Sequence, residues 1–131
     1  MVIENKILTG KKFSLVPIED QHYEVLQNIF LNHSAVYRYT SLGNTPASFA
    51  RWFVLAQQQR AWVVVEHTDN KPIGSTRLYN VDEKAGAVTI GYTWYHPDWR
   101  GSGINDEVKF LLLSYVFDEL KFNRVTFEVN R

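Results

Sequence analysis

The 131-residue chain contains no cysteine. That excludes disulfides, thiolate metal sites and a cysteine nucleophile together, and it fits a cytoplasmic, reducing location. An excess of either charge is missing too, since 14 Lys and Arg balance 14 Asp and Glu. A neutral chain has no broad electrostatic footprint for nucleic acid, so any anion it binds must be held locally. Long apolar runs are also absent. None approaches the roughly 18 residues of a membrane span, and residues 1–10 lack the apolar segment of a secretory signal. His22, His33, His67 and His96 do not show metal-ligand spacing, so no metal is expected. Repeats, low-complexity stretches and linkers are missing as well. What is present is ordinary for one globular domain, with 45% hydrophobic and 21% charged residues. Aromatics reach 15% and include four Trp, enough to bury a large apolar area.

The chain is punctuated by short turns. Phe13-Ser14-Leu15-Val16 reads as a first strand ending at Pro17. Asp20 is placed to cap a helix over residues 21–31, with Tyr23, Leu26, Ile29 and Phe30 at helical spacing. Thr45-Pro46 starts a second helix, whose face carries Phe49, Trp52, Phe53 and Ala56. Residues 61–67, 71–79 and 87–95 then read as a three-strand meander, joined by polar turns at 68–71 and 82–86. In the last of these, Val88, Ile90, Tyr92 and Trp94 recur at period two. A glycine-bearing loop at 98–103 leads into a long amphipathic helix with Val108, Leu111, Leu112, Tyr115, Val116 and Leu120 on its apolar face. A last strand follows over 125–129. Strand, crossover helix and strand in succession imply one parallel step. The expected fold class is therefore α+β (α/β), a mixed but mostly antiparallel central sheet with flanking helices, in a single domain over 1–131.

The segment richest in chemistry is His96-Pro97-Asp98-Trp99-Arg100-Gly101-Ser102-Gly103-Ile104-Asn105, between a strand and a helix. The first N–H groups of a helix have no internal partner and lie at the positive end of its dipole. Gly101 and Gly103 can turn several N–H groups toward one point, which makes an anion cradle without net positive charge. Arg100 can add a charge-assisted contact. The same glycines also suit a plain tight turn. No Gly-Lys-Ser/Thr follows, so this is not a Walker loop, and there is no Gly-x-Gly-x-x-Gly.

The run from Ile90-Gly91-Tyr92-Thr93-Trp94-Tyr95 through Asn105 resembles the core motif of GNAT acetyltransferases, Arg/Gln-x-x-Gly-x-Gly/Ala. It is most similar to the branch acting on ribosomal proteins and amino acids. Arg100 and Gly103 match, and Asn105 replaces the final small residue. Asn105-Asp106-Glu107, the helix after it, residues 123–129 and the opening stretch 8–26 are similar as well, so nearly the whole chain is covered. The resemblance implies acetyl-coenzyme A as cofactor, held by Trp94, Tyr95, His96, Arg100, Gly101, Ser102, Gly103, Ile104 and Asn105. It implies a gap where the strand ending at Trp94-Tyr95 splays from the last strand, with a backbone N–H near Tyr95 polarising the thioester carbonyl. The implied reaction is direct attack by a primary amine, on a peptide N-terminus, an amino acid or a small amine, with a base or ordered water taking the proton.

Two departures qualify that resemblance. Family domains continue into a further helix and hairpin, so the fold is expected to lack both and to pair through its open edge as a homodimer. Many relatives carry Glu where this chain has Thr89. Glu128 and Tyr92 are then the candidate catalytic groups, with His96 and Glu66 behind them. Strand alternation makes Glu128 an outward carboxylate in the plainer reading, and Glu66 is expected to face solvent. Tyr37, Tyr39 and Trp52 are candidates for an acceptor wall, although helix periodicity equally makes Trp52 a core residue. The other class weighed is a non-catalytic module that dimerises through the sheet. The remaining expectation is that no membrane partner is involved.

Overall fold

The computed structural model describes residues 6–33 and 45–128. Six strands form one sheet in sequence order: β1 (Leu8–Thr9), β2 (Phe13–Pro17), β3 (Trp62–Glu66), β4 (Pro72–Asp82), β5 (Ala87–Tyr95) and β6 (Arg124–Phe127). Every ladder is antiparallel except β5–β6, which is parallel. The expected meander and parallel step are therefore present, with a short β1 added at one edge. Helices α1 (Tyr23–Asn32) and α2 (Pro46–Gln58) cover one face, and α3 (Ile104–Ser114) covers the other. No helix among the described residues is long and apolar enough to cross a membrane.

Period-two alternation splits β3 between two cores. Trp62 and Val64 join the α3-side core, which includes Phe13, Leu15, Ile90, Val108, Leu112 and Tyr115. Val63 and Val65 join the other core, with Phe30, Phe49, Trp52, Phe53 and Trp94. Because both faces of β3 are covered, its sequence is a continuous apolar run rather than an alternating one. Aromatic edge-to-face contacts fill the second core, as between Tyr23 and Phe49 at 5.1 Å and Tyr23 and Phe53 at 4.9 Å.

The helix ends obey local rules, with some corrections. Thr45 caps α2, accepting the Ser48 N–H at 3.0 Å, and Pro46 follows as the first helical residue. Before α1 the cap is Glu19, not Asp20. Glu19 and His22 form a reciprocal capping box around a 3-10 turn (Asp20–His22), while Asp20 accepts from Gln57 Nε2 at 2.7 Å. The long helix expected after Gly103 does not run through as α-helix. It widens into a π-helical turn (Tyr115–Glu119), with Leu120 N–H donating to Tyr115 O.

Two carboxylates staple the backbone. Glu107 Oε2 accepts the N–H groups of Lys12 and Phe13, at 3.0 and 2.7 Å, and so ties the β1–β2 turn to the start of α3. Glu66, expected to face solvent, is instead 2% exposed. It accepts from the Thr68, Asp69 and Lys71 N–H groups of the β3–β4 turn. Burial pushes its pKa up, but those N–H groups more than offset this and hold it below the ordinary 4.5.

Glu107→Ala strands two N–H groups and is expected to cost about 1–3 kcal/mol, lowering Tm by several degrees in a thermal melt. Glu107→Gln, which keeps an acceptor, is expected to cost less. Because the folded-state pKa of Glu66 is depressed, its contribution is present above pH 4.5 and lost as pH falls through the lower folded value. Urea melts across that window should be less pH-dependent in Glu66→Gln.

Candidate functional site

The site begins with a fault in β5. Ser75 pairs with Trp94 and Arg77 with Gly91, so Tyr92 and Thr93 together oppose Thr76 in a β-bulge. Tyr92 takes the strain as a left-handed residue, with φ 53°. β6 follows β5 only from Ala87 to Ile90, and the Glu128 N–H still donates to Ile90 O at 3.0 Å. Beyond that point the strands part, and among the described residues no strand pairs with Gly91–Tyr95 on this side. The opening is a groove of about 300 Å³, lined by Tyr92, Thr93, Tyr95, Asn105, Phe127 and Glu128 among others.

β5 then runs into the glycine turn. A 3-10 turn (Pro97–Trp99) is capped by His96, whose Nδ1 accepts the Asp98 N–H at 3.0 Å. Gly101 and Gly103 have φ 78° and 88°, conformations that only glycine adopts cheaply. A Cβ at either position would meet nothing within 4 Å, so the space above the turn is open. Gly103 is the N-cap of α3 and offers no side chain to its first N–H groups. Arg100, Gly101, Gly103, Ile104, Asn105, Asp106 and Tyr95 line a second hollow of about 530 Å³. Tyr95 and Asn105 belong to both hollows, and the Tyr95 hydroxyl donates to Asn105 Oδ1 at 3.2 Å. Burial pushes the Tyr95 phenol pKa well up, so it stays a neutral donor.

Behind the groove lies a residue that sequence reasoning missed. Arg77, in the middle of β4, is fully buried. Its Nη1 donates to Gln59 Oε1 at 2.7 Å, and its guanidinium lies 4.2 Å from the Tyr92 ring centroid and 5.6 Å from that of Trp52. Among the described residues its Nε and Nη2 meet no acceptor. Burial lowers its pKa to about 10, with Tyr92 and Glu128 acting to raise it, so it remains a cation at neutral pH. The available signal was positional. A charged residue in the middle strand of a meander has both faces covered by its neighbours and their helices.

The expected site residues separate as follows. Tyr92, Tyr95, Asn105 and Glu128 come together at the groove, and Arg100, Gly101, Gly103 and Ile104 at the turn. Glu128 does point outward, as strand alternation has it, but onto the mouth of the groove. Ser102 is turned back, its N–H and hydroxyl both donating to Trp99 O. Trp94 sits on the splayed stretch of β5 by its backbone, while its side chain packs in the core 5.6 Å from Trp52. Trp52 lies in the core, fully buried and stacked with Phe49 and Phe30, and lines none of the hollows formed by the described residues. Tyr37 and Tyr39 lie outside the described residues. The Glu66 carboxylate is spent on its own turn, away from this groove. His96 flanks the cradle with its ring 4.5 Å from that of His33.

A family model described as an acetyltransferase (GNAT) domain matches residues 12–131. No curated protein matches the chain. Among solved structures, a GCN5-related N-acetyltransferase from Brucella melitensis is similar over 94% of this chain and 59% of its own, at 26% identity and a TM-score of 0.84. A GNAT-family protein from Chromobacterium violaceum is similar over 95% of this chain and 66% of its own, at 22% identity and a TM-score of 0.84. A ribosomal L7/L12 α-N-protein acetyltransferase shares the fold over 93% of this chain and 70% of its own, at 16% identity and a TM-score of 0.75. The chain thus spans less than two thirds of the length of the first of these.

Burial, and the neighbouring His33, lower the pKa of His96 below the ordinary 6.5, with Asp98 opposing. Its neutral ring holds the Asp98 N–H, so the turn should be firm above pH 6.5 and loosen as pH falls through the lower folded value. An NMR titration is expected to place the His96 midpoint below 6.5, and His33→Ala to move it upward.

Proposed function

This chain belongs to the acetyltransferase (GNAT) domain family, and from that premise we propose that it moves an acetyl group from acetyl-coenzyme A to a primary amine. The observation that carries the reading is the continuity of two hollows. An uncapped helix N-terminus with open glycines opens directly onto the unpaired stretch of β5. The donor set suits the cofactor. The first N–H groups of α3 and Arg100 would hold its pyrophosphate, and the bare edge of β5 would pair with the amides of its arm. When bound, it supplies an activated acetyl thioester.

The chain's own groups then have defined tasks. Glu128, at the mouth of the groove, takes a proton from the attacking amine. A backbone N–H near Tyr95 faces the carbonyl oxygen and stabilises the negative charge that develops there. Nitrogen bonds to the acetyl carbon as the carbon–sulfur bond breaks. The thiolate left behind gains one proton, for which Tyr92 is the phenolic donor on the same groove. The acceptor in this reading is a peptide N-terminus, an amino acid or a small amine.

A second reading rests on β6. It pairs on one side only, and Phe127 is 42% exposed. Two copies joined through that edge would form a homodimer, a pairing that unprotected edges favour. Sedimentation at a mass near 15.3 kDa would remove this reading.

At about 100 times its dissociation constant, acetyl-coenzyme A is expected to stabilise the fold by about 2.7 kcal/mol, a rise of several degrees in Tm. Gly103→Trp, which fills the open space above the turn, should abolish the rise. Glu128→Gln should keep it while slowing acetyl transfer by about 10²–10⁴-fold. No rise at millimolar ligand would refute the proposal.

A further inference from the structure

Ser14 and His67 meet where β3 ends beside the start of β2. Phe13 pairs with Glu66, so His67 falls opposite Lys12 and on the same face as Ser14, two residues further along β2. The His67 N–H donates to Lys12 O at 2.9 Å, and its ring Nδ1 lies 2.9 Å from Lys11 O. A carbonyl oxygen only accepts, so in the neutral ring Nδ1 carries the hydrogen and Nε2 the lone pair. Nε2 lies 2.7 Å from Ser14 Oγ, and the hydroxyl therefore donates to it. The result is a nucleophile bonded to a base, with the base held in one tautomer by a third group.

The pair lines a hollow of about 490 Å³ that shares no residue with the groove or the glycine turn. Val16, Pro17, Val65 and Pro72 give it an apolar wall, and His22 lines it too. His22 Nδ1 accepts the Glu19 N–H at 3.0 Å, so its ring hydrogen sits on Nε2. Burial holds its pKa below the ordinary 6.5 against the pull of Glu19, so the ring is uncharged at neutral pH. A neutral imidazole with one N–H to donate suits a carbonyl oxygen on which charge develops. Backbone contacts thus fix the two rings in opposite senses, His67 accepting at Nε2 and His22 donating there. No Lys or Arg lines the hollow, and the Glu19 carboxylate is spent on the His22 N–H. Such a space favours an uncharged ester over an anionic thioester such as acetyl-coenzyme A.

We propose that Ser14 and His67 form a second, hydrolytic site, separate from the groove, that cleaves small uncharged carboxylic esters. Ser14 Oγ attacks the ester carbonyl carbon while His67 Nε2 takes the hydroxyl proton. The carbonyl oxygen becomes negative and is met by the His22 Nε2–H. The bond from carbon to the alkoxy oxygen then breaks, the leaving alcohol collects the proton from His67, and the acyl group stays on Ser14. Water next gives a proton to His67 Nε2 and attacks the acyl carbon. Ser14 leaves with that proton, so ester and water become acid and alcohol. No step uses coenzyme A, Glu128 or Tyr92, and the inference does not rest on the acetyltransferase reading.

The test uses para-nitrophenyl acetate, with release of nitrophenolate followed by absorbance and the acid-quenched chain mapped by mass spectrometry. The unmodified chain is expected to release a burst of about one equivalent and to carry acetyl on Ser14. Diisopropyl fluorophosphate should add to the same oxygen. Ser14→Ala should abolish the burst and both adducts. His67→Gln should slow acylation by about 10²–10⁴-fold, and His22→Phe by about 10²–10³-fold. Circular dichroism and a thermal melt of each variant establish that it is folded. Acetyl-coenzyme A should still raise Tm in Ser14→Ala and His67→Gln, which separates this site from the groove. Absence of a burst and of any Ser14 adduct would overturn the proposal, as would label spread over lysines or a burst undiminished in Ser14→Ala. A lower Tm for His67→Gln with an unchanged acylation rate would reduce the pair to a clip on the end of the ladder and overturn it equally.

Discussion

The site depends on β5 leaving β6 after Ile90. Parallel pairing over Ala87–Ile90 fixes the start of β6, helped by the Asn123 and Arg124 N–H groups that both donate to Gly86 O at the β4–β5 turn. The bulge at Tyr92 then bends β5 while β4 continues to pair with it. A strand bonded on one side and bare on the other is a liability unless something completes it. Here it lies between α3 and the end of β6, where it is sheltered from other chains and open to a slender ligand. One continuous stretch, from Gly91 to Asn105, thus supplies both the groove wall and the turn beyond it. No separate element has to be positioned for either.

α3 is held to this arrangement from its first turn. Glu107 sits where acidic residues suit the helix dipole, yet its carboxylate is committed to the Lys12 and Phe13 N–H groups at the start of β2. A phosphate at the same N-terminus therefore does not face a free Glu107. The Phe13 ring also meets Trp99 edge-on at 5.6 Å, which pins the turn from below. β2 braces the cradle twice, by backbone and by side chain. The rigidity that a preorganised anion site needs comes from this bracing, because glycine at two positions supplies none.

Much of this was legible in the sequence. The strands of the meander follow from period-two alternation, Thr45-Pro46 marks a helix start, and two glycines before a helix mark the open turn, because each signal is local. What stayed hidden depends on which neighbours a residue meets. Glu66 reads as a surface carboxylate until the turn after it folds back upon it. Nothing in residues 104–120 announces the π-turn, because its apolar spacing serves an α-helix equally well. Trp52 and Trp94 read as core and as site with the same periodicity, and only packing against Phe30 and Phe49 places both in the core. A lone charge in a strand, such as Arg77, is ordinarily solvated. That assumption fails where helices cover the strand.

The two faces of the sheet are built to different standards. Among the described residues the α3-side core leaves no buried side-chain atom without a partner. The buried side-chain atoms without partners among the described residues are Trp52 Nε1, Trp94 Nε1, and Nε and Nη2 of Arg77, and all belong to the α1–α2 side. A core selected for stability alone would replace these groups with hydrocarbon, since each unpaired polar group costs free energy that packing must offset. The cost is also localised. It falls around the one strained non-glycine residue of β5, Tyr92, where the groove meets the sheet. Strain and unmet hydrogen bonding thus fall in the same few residues, beside the groove and on the face opposite the better-satisfied core. The glycine turn shows the opposite economy. Its open N–H groups lie at the surface, where water satisfies them until a ligand arrives, so keeping them ready costs the fold little.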